Sequence, residues 1–420
     1  MTIRYWCFIK SSMTNKMKSL NLIAWIILLV LVISCSNTRE PTSLNEVYPI
    51  NLHVSINPPV SAEEWIGEMM FVPLETNDNC YLASRMWYDV SETNIAVSSN
   101  NTIHIFDRSG KHLNSFKKEG KGPGEYTRIY NIRLMPKTRE VMVLNRYREI
   151  IVYDFLGNVT KQIPLKFMVL DVVPVDSDIF ACYHGRMTRA YIKTEDPDFD
   201  ESSSLFEVLF VDDSGNQVSE YMKFKYPILG SFVSGDFTGG EALGMYYLNP
   251  AYGLNIYQVG PGDHFELKYR FDYLDYSLDT SLLNDKAFMK SEKANSNLKG
   301  YKNLDHLCMN ENSIMFWAPN IDGDQFGFRL INRKSGNQRS IFMDSLQNFG
   351  YFYGIPIEFS KNSFGNWFIQ KTEAIDMLEC LESLSPEQKK ILSRSKGFDR
   401  LDRLEEDDNP VMVFYKVKDF

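Results

Sequence analysis

Six cysteines and six histidines are spread through 420 residues, and no two cysteines form a C-x-x-C pair. That scarcity excludes a zinc ribbon, a thioredoxin-type motif and a dense disulfide framework. Cys80, Cys182, Cys308 and Cys380 therefore read as small buried hydrophobes, with one or two bridges left open. A G-x-S-x-G elbow, an H-E-x-x-H helix and a G-x-x-x-x-G-K-[ST] phosphate loop are all missing, which removes the commonest hydrolase and nucleotide signatures. A triad or carboxylate pair gathered from distant segments would leave no such local mark. Basic blocks are absent as well. With 45 Lys and Arg against 54 Asp and Glu, the chain carries a formal charge of −9, and nucleic acid is excluded as a partner.

No apolar run approaches the about 20 residues that a membrane helix needs. The run "LIAWIILLVLVI", residues 22 to 33, has 12, follows Lys16 and Lys18, and suits the core of a secretion signal. Met17 opens a more usual signal than Met1. Val32-Ile33-Ser34-Cys35 resembles a bacterial lipobox, which implies cleavage before Cys35, thioether lipidation of its sulfur and a membrane tether through acyl chains. The organisation expected is a signal peptide over 1–34, a lipidated cysteine and polar tether over 35–60, and a folded domain over 61–420. An exported cell-envelope protein follows, anchored in the outer membrane and facing the periplasm or the cell surface.

What is abundant is strand. Aromatic residues make up 14% of the chain, and they suit β-structure or sugar-stacking surfaces. "TIHIFDRSGKHLNSF" from residue 102 and "EIIVYDFLGNVTKQIPL" from 149 share one plan: an alternating run, an aromatic-Asp pair, a D-x-x-G turn and a second alternating run. Each is a β-hairpin, because Asp caps backbone N–H groups in the turn and Gly accepts the positive φ at its exit. "LFEVLFVDDSGNQVSEYMKF" from 205 repeats the plan, and weaker copies start at 252 and 326. The turn glycines at 110, 157, 215, 262 and 336 are spaced 47, 58, 47 and 74 apart, mostly near the roughly 40 to 50 residues of a four-stranded propeller blade. Another strand pair precedes each hairpin. A sixth blade is expected from "IPIEFSKNSFGNWFIQK" at 355 and the strand "NPVMVFYKV" at 409, with "EMMFVPLET", 68 to 75, fastening the ring. Between 372 and 405, Ile375, Leu378, Leu381 and Leu384 and the capping box Ser385-Pro386-Glu387-Gln388 predict two short helices. The fold class is all-β: a six-bladed β-propeller of four-stranded antiparallel blades, with a small helical insert in the last.

"EGKGPGEY" followed by a strand resembles the NHL-type repeat. "FVPLET" and "EEDDNPVMVFYKV" are similar to the entry and exit signatures of six-bladed β-propeller lipoproteins of Gram-negative bacteria. The resemblance covers roughly residues 65 to 420. It implies the fold and no assigned activity, so it transfers no catalytic residue.

The loop "EGKGPGEYTRIYNI", 119 to 132, has its glycines in the wrong order for phosphate, loses a donor at Pro123 and leads into a strand. It reads as a backbone device between blades. Lys121, Glu125, Tyr126 and Arg128 on it, with Tyr353 near another turn, are the candidate ligand-binding residues. Asp196, Asp198, Asp200 and Glu207 match positions 1, 3, 5 and 12 of a calcium loop, although Glu201 replaces the glycine at position 6. Calcium or another divalent ion is thus the alternative to having no cofactor. Asn320, Asp322 and Asp324 form a poorer copy, and His306 with Cys308 offers half of a zinc set. His104 and His112 share a hairpin, but regular pairing sets residue 105 opposite 112 and puts the two imidazoles on opposite faces. Trp65, Trp87, Trp317 and Trp367 are candidates for core packing or sugar stacking. The functional expectation is a non-catalytic binding or scaffold module for a glycan, peptide or protein of the envelope. The alternative is a metal-assisted lyase or hydrolase acting on a polymer at the central channel.

Overall fold

A computed structural model describes residues 47–51, 61–135, 137–185, 206–224, 237–240, 245–250, 253, 255–272, 305–319, 326–341, 349–358 and 362–420. Cys35, Asp196, Asp198, Asp200, Asn320, Asp322 and Asp324 lie outside the described residues.

Strands at the centre of the hairpins are apolar on both faces, as "EVMVLN" and "EIIVYD" illustrate, so each must be covered from two sides. A ring of face-packed blades meets that demand. Blade 1 comprises Met86–Val90, Asn94–Ser99, Thr102–Asp107 and His112–Phe116 from inner to outer strand; blade 2 comprises Ile129–Met135, Glu140–Asn145, Glu149–Asp154 and Val159–Pro164. Blade 3 runs through Asp171–Pro174, Ile179–Tyr183, Phe206–Asp212 and Gln217–Lys223, and blade 4 through Phe237–Gly240, Met245–Leu248, Asn255–Gly260 and His264–Asp272. Blade 5 is Asp305–Met309, Ser313–Pro319, Phe326–Asn332 and Gln338–Ile341. Blade 6 is Asn362–Phe364, Trp367–Thr372 and Val411–Val417, completed on its outside by Ile66–Pro73. The expected fastener is therefore real. One strand was not foreseen: Tyr48–Asn51 adds to the outer edge of blade 4 in parallel.

Hydrophobic cores lie between blades. Val141 and Val143 face blade 1 while Met142 and Leu144 face blade 3, and Val411, Val413 and Tyr415 face blade 5 while Met412 and Phe414 face blade 1. The period of two along a strand thus feeds two different cores. At the inner circle, side chains bond across every junction. Asp89 accepts from Leu134 N, Asn131 and Arg133 reach Asp171, and Asp171 accepts from Phe237 N. Met309 N donates to Thr238, Ser363 donates to Met309 O, and Asn362 donates to Tyr88 O.

The D-x-x-G turns behave as expected. Asp107, Asp154 and Asp212 each accept two backbone N–H bonds within their own turn. Two of the turn glycines also admit a neighbouring backbone, since a Cβ on Gly110 would lie 2.2 Å from Pro73 O and one on Gly215 would lie 2.3 Å from Pro164 O. Each turn is thereby seated against the end of the previous blade's outer strand.

Three expectations need correction. Ile355–Glu358 is not part of blade 6; it pairs with Phe349–Phe352 in a separate hairpin. The helical insert exists as Ala374–Ser383 and Pro386–Leu392 plus a 3₁₀ turn, with the Ser385 capping box formed, but Ala374, Met377, Leu384, Leu392 and Leu401 are its buried residues and Ile375 is exposed. Finally, His104 and His112 share a face. Leu113 is an extra, exposed residue in the outer strand, a β-bulge that pairs Phe106 with His112 instead of Ile105. Ser115 Oγ then stands 2.7 Å from His104 Nδ1 and 2.6 Å from His112 Nε2.

Candidate functional site, a cleft on blade 2

Chain reversals set the site. In an up-and-down blade, the turn from second to third strand and the loop from one blade to the next leave by the same edge. Here the 145–149 turn of blade 2 meets both the 117–128 loop that enters the blade and the 165–170 loop that leaves it. Arg146 N donates to Arg128 O, Leu165 N to Arg148 O and Val169 N to Tyr147 O.

The turn itself is unusual. Arg146 and Tyr147 have φ of 51° and 61°, the doubly left-handed geometry that favours Asn-Gly because a bulky side chain is strained there. Blade 1 places Asn100 and Asn101 at its equivalent turn, which is the less strained choice. The strain on blade 2 is sustained by the tethers above, and it projects an arginine and a tyrosine from the face.

Around these two residues lies a cleft of about 520 Å³ lined by Tyr130, Asn145, Arg146, Tyr147, Arg148, Glu149 and Met168. The Tyr130 and Tyr147 rings pack at a tilt of 34° with centroids 3.7 Å apart, and the Arg128 guanidinium sits 4.9 Å from the Tyr130 centroid. Asn145 braces the floor, accepting from Thr127 N and donating to Glu149 at 2.7 Å, while Gln162 holds the other Glu149 oxygen at 2.7 Å. Two tyrosine rings, Arg128 over one of them, and Arg146 and Arg148 in the lining form a local basic and aromatic patch on an acidic protein.

The sequence candidates fall in several places. Arg128 sits at the edge of the cleft, over the lining Tyr130, and Lys121 is exposed on the adjoining loop. Glu125 is occupied within its own loop: Gly122 N donates to its carboxylate at 2.8 Å, and a Cβ on Gly120 would lie 1.8 Å from that oxygen. The glycines cradle an anion after all, and the anion is the chain's own. Tyr126 is fully buried between blades 1 and 2, with its hydroxyl donating to Asn101 O at 2.7 Å; it packs the ring instead of facing a ligand. Burial also pushes its phenol up to about 12. Tyr353 lies in the turn of the 349–358 hairpin, where its N–H donates to Glu63, away from the cleft. Glu207 is buried in the third strand of blade 3. Trp65 is buried and Trp367 packs beside Phe414, whereas Trp87 is exposed. Arg146 and Tyr147 carry no sequence motif, their signal being a backbone angle, and Tyr130 joins them only through the fold.

At the channel, Asp89 and Asp171 are the inner-strand acids of blades 1 and 3. Burial pushes the Asp89 carboxyl up, against the nearby Arg133 charge and the backbone donors that lower it. Both acids hold neighbouring backbones together.

The family described as "Domain of unknown function (DUF4934)" matches residues 46–416. No curated protein matches the chain. Among solved structures, a Bacteroides fragilis protein described as exported is 14% identical, with a TM-score of 0.61 over 89% of this chain and 100% of that one. A DUF4221 member from Bacteroides vulgatus is 10% identical, with a TM-score of 0.42 over 84% and 97% of the chains. Virginiamycin B lyase from Staphylococcus aureus is 11% identical, with a TM-score of 0.35 over 67% and 76%. The first likeness shows the fold.

Proposed function

The chain belongs to the DUF4934 family, and from the geometry of blade 2 we propose that it is an exported, lipid-anchored propeller that binds an acidic glycan without cleaving it. The observation that carries this reading is the Arg146-Tyr147 pair, held in a strained turn with the Tyr147 ring packed at a tilt against Tyr130. Aromatic faces suit the apolar faces of sugar rings, and guanidiniums suit carboxylates in paired geometry. Arg128 extends the same strip, and Lys121 adds charge at its margin. Anchorage through Cys35 in the outer membrane would hold the cleft within the envelope. The reading requires no cofactor.

The test is titration of the purified chain with uronate oligosaccharides. Binding that weakens with salt and falls at least ~10-fold in both Arg146→Ala and Tyr147→Ala is expected. Absent binding, or binding unaffected by the two substitutions, sinks the reading. Preference for acidic peptides moves the site to a protein partner, and shortened oligosaccharide products favour the polymer-acting lyase or hydrolase.

A further inference from the structure

Where the ring closes, blade 6 meets blade 1, and the loop over residues 74–85 joins them. Cys80 on that loop is fully buried, His104 on the third strand of blade 1 is nearly so, and His112 on the outer strand is half-exposed. One donor atom from each lies within 4.8 Å of the other two. We propose that Cys80, His104 and His112 form a zinc site that clasps the closure of the propeller.

The donor set favours this ion. Two imidazoles and a thiolate suit a borderline transition metal and not calcium or magnesium, which take oxygen. A tetrahedral zinc ion holds such donors about 3.5 Å apart, so modest side-chain rotation from the present spacing would bring the three onto the ion, and a water would take the fourth position. Coordination removes the proton from the Cys80 sulfur and releases it to solvent, and the half-exposed His112 edge is the route for the ion.

The surroundings are built in the manner of a metal site. Ser115 Oγ bridges both imidazoles and fixes their orientation, and the Phe106 ring packs edge-on to His112 at 5.6 Å. Asn409 Nδ2 stands 3.7 Å from Cys80 Sγ and also donates to Cys80 O, which locks the loop that carries the sulfur. Such outer partners hold ligands in register. Placement gives the site a purpose as well. Cys80 follows the fastener strand, Asn409 precedes the strand that the fastener pairs with, and both histidines belong to the next blade.

The purified chain, stripped with a chelator and dialysed, should take up one zinc ion per molecule in competition with a chromophoric chelator. Cobalt(II) in its place should show a thiolate charge-transfer band. Cys80→Ser should abolish that band, and His112→Ala should weaken zinc by more than the ~10–100-fold typical of outer-shell changes. Zinc should raise the unfolding temperature of the wild type by several degrees and leave the variants unmoved. His112 is half-exposed, so its alanine variant keeps the decision open if Cys80→Ser fails to fold. No stoichiometric uptake by the folded wild type, uptake unchanged in His112→Ala, or preference for copper(I) with zinc refused would each overturn the assignment.

Discussion

Single residues in this ring act through what touches their backbone. Gly110 combines φ of 87° with a Cβ direction that points at Pro73 O, whereas Gly336, at φ 73°, faces open space. Gly110→Ala is expected to cost at least ~2 kcal/mol, from left-handed strain plus a collision with backbone, and Gly336→Ala only ~1 kcal/mol, from strain alone. Urea denaturation of the two variants checks the difference. Asp154 and Asp212 supply the pH dependence at this scale. The Asn158 side chain and neighbouring N–H groups hold the Asp154 carboxyl below its ordinary value, and the Asn216 N–H leads in doing the same for Asp212. Because the folded values are lowered, the stabilisation is complete above the unfolded carboxylate range near ~3.9 and disappears as pH falls through the folded values. Asp154→Asn with Asp212→Asn should therefore flatten the loss of stability on acidification, as followed by thermal melts between pH 6 and 3.

Elements explain why some of the molecule was legible in advance and some was not. The hairpins could be read because Asp and Gly occupy turn positions with defined backbone needs, and the core could be read because apolar residues run on both strand faces. Bulges could not. Thr160 and Val218 stand opposite no partner, as Leu113 does, and each reverses which face the following residues show. Regular pairing after D-x-x-G would therefore separate His104 from His112, and the bulge brings them together. The blade 2 cleft was half legible: Arg128 lies in a loop rich in glycine, but Arg146 and Tyr147 are brought beside it only by the fold. The insert was legible as helix and silent as to purpose. Its role is to cover an edge, since Phe71 N donates to Lys396 O and Gly397 lies against Phe71 O. The strand inside that edge is paired on both sides, with Val413 opposite Phe71 and Gln370. Val413→Pro should cost more than ~3 kcal/mol and expose the seam to limited proteolysis.

At the scale of the whole molecule, closure depends on residues far apart in sequence. Asn409 accepts from Leu82 N and donates to Glu75 O and Cys80 O, all within the closing loop. Asn409→Ala strands these buried groups together, and a loss of about 3 kcal/mol is expected, measured as a lower midpoint in thermal unfolding. The inner circle is bonded across every blade junction, so damage at the seam should lower the midpoint of the entire ring and not of one blade.

The fastener strand also dictates the timing of folding. Ile66–Pro73 is synthesised early, yet its partner Val411–Val417 follows only after the five other blades have been made. At about 5–20 residues per second, the early strand waits on the order of tens of seconds with an unpaired, apolar edge. The ring therefore cannot close before Val411–Val417 has been made, and until then five blades must persist without the strand that joins the last blade to its fastener.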